Sequence, residues 1–229
     1  MPPLRSLAHH SVATYLAAMA KNKAVLLTLL AVTAGNAATL SYTGVFTGDG
    51  DVQLFSFTIP SANTVTIQSF SFAGGVNGAG TTIPGGGFSP DIWLFDPTGT
   101  LLLADSPESP HHAAPGDCGP RGIDAATGFC WDAYSSALLP AGSYTLALTQ
   151  DGNDLADGFS LAGGFTEQGI ANYTDVNSLG GMFYLPDGVT ARDGNWALDI
   201  SGLPATTIPE PNTSIAVLAL VSLLIYRRR

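Results

Sequence analysis

Apolar and polar residues alternate in short runs through the middle of this chain. Phe55-Ser56-Phe57-Thr58-Ile59 alternates and is broken by Pro60-Ser61. Thr64-Val65-Thr66-Ile67 alternates too, and the apolar phase then slips to Phe70 and Phe72, which predicts a β-bulge. Ile92-Trp93-Leu94-Phe95 is a short run of buried type, closed by the turn sequence Asp96-Pro97-Thr98-Gly99. Leu101-Leu102-Leu103-Ala104 then pairs with it as a hairpin. Tyr144-Thr145-Leu146-Ala147-Leu148-Thr149 alternates behind Leu139-Pro140-Ala141-Gly142, and Trp196-Ala197-Leu198-Asp199-Ile200 reads as a closing strand. No helical period runs through residues 38–205. Short alternating strands with frequent turn signals predict an all-β fold, an antiparallel β-sandwich of jelly-roll type, in a single domain over 38–205.

Two apolar segments flank that domain. Residues 24–34 follow Lys21 and Lys23 and lead into Gly35-Asn36-Ala37. A charged start, an apolar stretch and a small-residue exit make residues 1–37 a secretory signal peptide, with cleavage after Ala37. Met19 would begin a signal of ordinary length, so it is a candidate for the true start. The second segment, residues 215–226, has 12 residues, against the roughly 20 needed to span a bilayer as a helix. Pro209, Glu210 and Pro211 precede it; Arg227, Arg228 and Arg229 close the chain. The prolines keep the approach extended, and the arginines hold the end on the cytoplasmic side of a marginal membrane stop.

Those parts, in that order at the extreme C-terminus, resemble the PEP-CTERM sorting signal of Gram-negative bacteria. Residues 206–229 are the sorting tail in that reading. The resemblance implies transient insertion into the inner membrane and removal of the tail by an exosortase-type membrane protease. Delivery to the cell surface or the exopolysaccharide matrix would follow. A plain C-terminal anchor is the alternative. A second resemblance covers about residues 40–150. Asp51-Val52-Gln53-Leu54-Phe55-Ser56-Phe57, the stretch from Asp91 to Gly99, and Leu139-Pro140-Ala141-Gly142-Ser143-Tyr144 are similar to bacterial pre-peptidase C-terminal domains. Those are small sandwiches on secreted enzymes, and some bind calcium or extracellular polymers. A Gly-rich insert, residues 73–87, and a cysteine loop depart from that pattern, and residues 151–200 have no counterpart in it. The insert itself reads as a flexible loop.

Charge narrows the partners. The chain carries 18 Asp plus Glu against 8 Lys plus Arg, a net charge of −10. Within the exported part the only cations are Arg121 and Arg192, so that surface repels phosphate backbones and excludes nucleic acid. Cys118 and Cys130 bracket a short loop, and in an exported protein such a pair is expected to form a disulfide.

Candidate chemistry is sparse. No Gly-x-Ser-x-Gly elbow, zinc-binding helix or phosphate-cradling loop occurs, and adjacent His111 and His112 would point opposite ways on an extended chain. The expectation is a protein without enzymatic activity. Two acidic turns are candidate calcium loops, one with Asp49 and Asp51, the other with Asp151, Asn153, Asp154 and Asp157, because calcium takes six to eight oxygen ligands. Ordinary turn chemistry explains the same residues, since Asp and Asn bond to their own backbone. Trp131 is a surface candidate for stacking on sugar rings, whereas Trp93 and Trp196 fall inside strands as core residues. The reading is an exported structural protein of the exopolysaccharide layer. A calcium-dependent polymer-binding module is the alternative, and a secreted hydrolase comes third.

Overall fold

The computed structural model describes residues 37–105 and 118–204. The chain divides into two compact units, Met1–Gly35 and Asn36–Arg229, and every described residue belongs to the second. The expected signal segment, His111, His112, and the expected sorting tail with Pro209, Glu210, Pro211 and Arg227–Arg229 lie outside the described residues. Among the described residues no helix is long and apolar enough to cross a membrane.

The described residues form ten strands in chain order: β1 Ala38–Val45, β2 Gln53–Ile59, β3 Asn63–Phe70, β4 Gly75–Val76, β5 Thr82–Ile83, β6 Pro90–Phe95, β7 Leu101–Asp105, β8 Tyr134–Leu139, β9 Gly142–Gln150 and β10 Asn195–Leu203. Eight of them build two four-stranded sheets, β1-β10-β3-β8 and β2-β9-β6-β7, and all pairings in both are antiparallel. Alternation decides which side chains go between the sheets. In β2, Phe55, Phe57 and Ile59 are buried while Leu54, Ser56 and Thr58 face solvent. They meet Val65 and Ile67 from β3 and Leu198 and Ile200 from β10 in one apolar core. The fold is an antiparallel β-sandwich.

Strand β6 is buried at all six positions because both faces of its sheet are covered. Ile92 and Leu94 point into the core between the sheets. Trp93 and Phe95 point the other way, into a second cluster with Ala147, Leu155 and Phe165. The cover comes from the turn-rich segment between β9 and β10, where Leu155 bridges to Phe165. Within residues 151–194, which have no strand grammar, the stretch from Leu155 to Phe165 therefore covers the outer face of the second sheet.

Two expectations are corrected. The phase slip after Ile67 is not a bulge: β3 keeps an unbroken register against both β10 and β8. Ser69 occupies the next inward position, fully buried, and the strand ends before Phe72. The bulges fall elsewhere, between Ala38 and Leu40 and between Leu94 and Phe95. The Gly-rich insert is not a structureless loop either. It folds as the small hairpin β4-β5, with Gly80 at φ 78° in the turn and the Asn77 side chain accepting from Thr81 N at 2.8 Å. A positive φ of that size suits glycine, and Asn caps the turn locally.

Candidate functional site

The cysteine loop is pinned by a disulfide and two buried ion pairs. Cys118 and Cys130 form a disulfide with their Cα atoms 5.5 Å apart, an ordinary span for a bridge. The loop between them carries one end of each of two buried ion pairs. Arg121 donates to Asp105 at 2.8 Å and to the carbonyl of Tyr134 at 3.1 Å. Asp124 receives both guanidinium nitrogens of Arg192, at 3.2 and 2.9 Å, and also the Thr127 hydroxyl. Burial alone would raise the Asp124 carboxyl. The hydrogen-bonded Arg192 and Thr127 outweigh it and hold the group below the usual carboxylate range.

Just past the bridge, Asp132 is 1% exposed and gathers four donors from the end of β3. Its Oδ1 accepts from Ser71 N at 2.6 Å, Phe72 N at 3.1 Å and the Ser69 hydroxyl at 3.1 Å, and its Oδ2 accepts from Ala73 N at 2.8 Å. Burial pushes this carboxyl up to about 6, against the pull of those donors. Above it stands an aromatic stack. Phe129 lies 4.6 Å from Trp131 with the rings 13° apart, Trp131 meets Phe72 at 5.0 Å, and Arg192 caps Phe72 at 4.1 Å. Trp131 is half-buried, and its ring is packed against neighbours on this seam. Trp93 and Trp196 are core residues, as expected.

The two acidic turns come together around a residue that sequence reasoning missed, Tyr173. Its N–H donates to Asp49 Oδ1 at 3.2 Å, and its hydroxyl donates to the carbonyl of Asp151 at 2.6 Å. Thr174 completes the Asp49 contact, giving Oδ2 its N–H at 2.8 Å and its hydroxyl at 2.6 Å. Burial, then the charges of Asp49, Asp151, Asp91 and Glu167, drives the Tyr173 phenol far above its ordinary value, so it stays a donor. Gly50 is required here: a Cβ would sit 2.2 Å from the Ile170 carbonyl and 2.3 Å from that of Glu167.

Asp51 and Asp157 cap the backbone of their own turns, and Asn153 reaches across to the 165–175 loop. Asp51 accepts from Thr47 N at 2.6 Å and Gly48 N at 3.0 Å. Asn153 Oδ1 accepts from Glu167 N at 2.9 Å, and Asp157 takes Phe159 N at 2.9 Å and Ser160 N at 2.8 Å. The Ser160 hydroxyl, chief among these donors, holds the Asp157 carboxyl below its usual range. Asp154 is exposed. Among the described residues no group of three or more His, Cys, Asp or Glu is placed to hold a metal ion. What the arrangement does chemically is tie loops 46–52, 150–157 and 165–175 to one end of the sandwich.

Compared with known proteins, the chain matches no family model and no curated protein.

Proposed function

We propose that this chain is an exported surface protein whose sandwich domain serves as a non-enzymatic component of the exopolysaccharide layer. The observation that carries the reading is the Cys118–Cys130 bridge, built into a loop that also anchors two buried ion pairs. A structural disulfide of this kind belongs to an oxidising compartment. The signal-type start and the PEP-CTERM-like tail supply the route, through an exosortase-type protease in the inner membrane. The two arginines of the exported part support the exclusion of nucleic acid, because both are spent in buried pairs and neither offers a cationic surface.

Intact mass of the protein recovered from the cell surface tests this. The expected species lacks residues 1–37 and most of the chain after Pro211. A surface form that still carries Arg227–Arg229 would overturn the sorting assignment.

A further inference from the structure

The two sheets of the sandwich have four edge strands, β1 and β8 in one and β2 and β7 in the other. A sheet edge presents a row of backbone N–H and C=O groups to any strand that approaches. Natural sheets blunt such rows with bulges, charges, prolines, short strands or a covering loop. Three of the edges here carry such a device. Strand β1 is irregular between Ala38 and Leu40, and β7 runs against the irregularity between Leu94 and Phe95 and ends on Asp105. At the start of β8 the Asp105–Arg121 pair takes over the backbone of Tyr134. Asp105 accepts from its N–H at 2.6 Å, and Arg121 donates to its carbonyl at 3.1 Å.

Strand β2 carries none of them. Its seven residues, Gln53-Leu54-Phe55-Ser56-Phe57-Thr58-Ile59, include no charge, proline or glycine. Its register against β9 is unbroken from Gln53 opposite Leu148 to Ile59 opposite Gly142. It is not short either, against about five or six residues for a strand in general. Among the described residues no strand pairs with its outer side. Leu54 is 46% exposed on it, an apolar side chain at an edge where a charge would be expected. The surroundings are neutral as well. Residues 38–90 hold two charged groups, Asp49 and Asp51, in a chain of net charge −10. Asp49 is fully buried, and Asp51 is bonded to Thr47 and Gly48.

We propose that β2 pairs antiparallel with β2 of a second copy of this chain across a two-fold axis, joining two four-stranded sheets into one of eight strands. An edge of this kind is complementary to another extended strand, and antiparallel pairing of a strand with itself closes on two-fold symmetry. Charge selects the second copy as the occupant. Two acidic chains repel over most of their surfaces, and the neutral flank at β2 is where they can meet. A neutral edge also offers no attraction to a basic partner. The pattern of β2 fixes the register. Full overlap sets Ser56 opposite its own counterpart, Leu54 opposite Thr58 and Phe55 opposite Phe57, so exposed positions meet exposed ones and buried meet buried. A slip of one residue would put the second copy's core on the wrong face. A slip of two keeps the faces but leaves two residues of each strand unpaired.

Sedimentation equilibrium of the full chain tests it, in a mild non-ionic detergent that keeps the apolar stretches 24–34 and 215–226 from associating. The expected species is a dimer in the micromolar range. Ser56→Lys sets two ammonium groups against each other on the axis and should raise the dissociation constant about fivefold or more. Thr64→Lys, exposed on the central strand β3, should leave it unchanged. Cysteine cross-linking reads the register. Under mild oxidation Ser56→Cys should give a disulfide-linked dimer, and Leu54→Cys and Thr58→Cys should link when mixed but not separately. If Ser56→Lys fails to fold, the cross-links decide alone. A monomer at all concentrations, a dimer that Ser56→Lys leaves intact, or oligomers that keep growing with concentration would each overturn the proposal. So would cross-linking of Thr64→Cys as efficient as that of Ser56→Cys. None of these outcomes bears on the sorting tail, which the mass of the surface form tests separately.

Discussion

Breaking the Cys118–Cys130 bridge should cost stability without dismantling the loop it closes. The two cysteines are 12 positions apart, and the chain-entropy model gives about 3 kcal/mol for closing a loop of that length in the unfolded chain. The folded loop has two further anchors, Arg121 on Asp105 and Asp124 on Arg192, with side chains between 3% and 7% exposed. Those pairs hold the loop in place when the bridge is gone, so the loss should stay close to the unfolded-state term. For a domain of this size each kcal/mol moves the melting temperature by about 2–4 °C. The Cys118→Ala/Cys130→Ala variant should therefore melt about 6–12 °C lower, by calorimetry under oxidising conditions. Adding a reductant should lower the parent toward the variant and leave the variant unchanged. A drop under about 2 °C would mean that the ion pairs already restrain the unfolded chain or that the bridge is strained. Free-thiol labelling at either cysteine in the native protein would remove the premise.

Two other outcomes follow from buried charges. Arg192→Met leaves the Asp124 carboxylate buried without its cation and should cost about 3–5 kcal/mol in denaturant melts. Adding Asp124→Asn, which keeps an acceptor for Thr127, should restore most of that, and equal losses in the single and double variants would refute the pairing argument. Asp132 sets a pH dependence. Its folded carboxyl, at about 6, lies above the unfolded value of 3.8, so the folded state holds the proton more tightly. Stability from this group is full below about pH 4 and is lost as pH rises to about 6, by at most about 3 kcal/mol. Melts of Asp132→Asn should lack that slope, and a slope of opposite sign in the parent would show that the four donors outweigh burial.

The legible parts of the fold were those in which one strand's own pattern reports its burial. Phe55, Phe57 and Ile59 face one core and read as a half-buried strand; Trp93 and Phe95 face a second, so β6 reads as buried throughout. Strands β1 and β8 were not legible. Both are sheet edges, and most of their side chains are half-exposed, as in Tyr134-Ser135-Ser136, which blurs the alternation. Ser69 looked like a break in phase because its burial depends on Asp132, 63 residues away, whose carboxylate it reaches. The candidate site failed in the same way. Asp49 and Asp151 announced themselves as turn residues, but Tyr173 joins them through an N–H and a hydroxyl, and no spacing in the sequence marks those contacts.

The chemistry of Asp49 separates the structural use of these acids from a cation-binding one. Its side chain is fully buried, and its two oxygens take three donors from Tyr173 and Thr174, 124 and 125 positions away. The Thr174 hydroxyl also receives Tyr184 N at 2.9 Å, so the contact extends to the far end of the segment between β9 and β10. Asp49→Asn keeps one acceptor oxygen and turns an amide toward a donor, which should cost about 1–3 kcal/mol. Asp49→Glu keeps the charge but adds a methylene at a filled site, costing about as much in packing alone, and shifts the acceptors away from all three donors. If shape and hydrogen bonding are what matter, melting temperatures fall in the order parent, Asn variant, Glu variant. Millimolar calcium or magnesium should then shift parent and Asn variant alike, by screening the acids around Tyr173. A Glu variant more stable than the Asn variant would contradict this. So would a calcium-selective shift that the Asn variant loses, because charge at Asp49 would then be holding an ion rather than two backbone N–H groups and a hydroxyl.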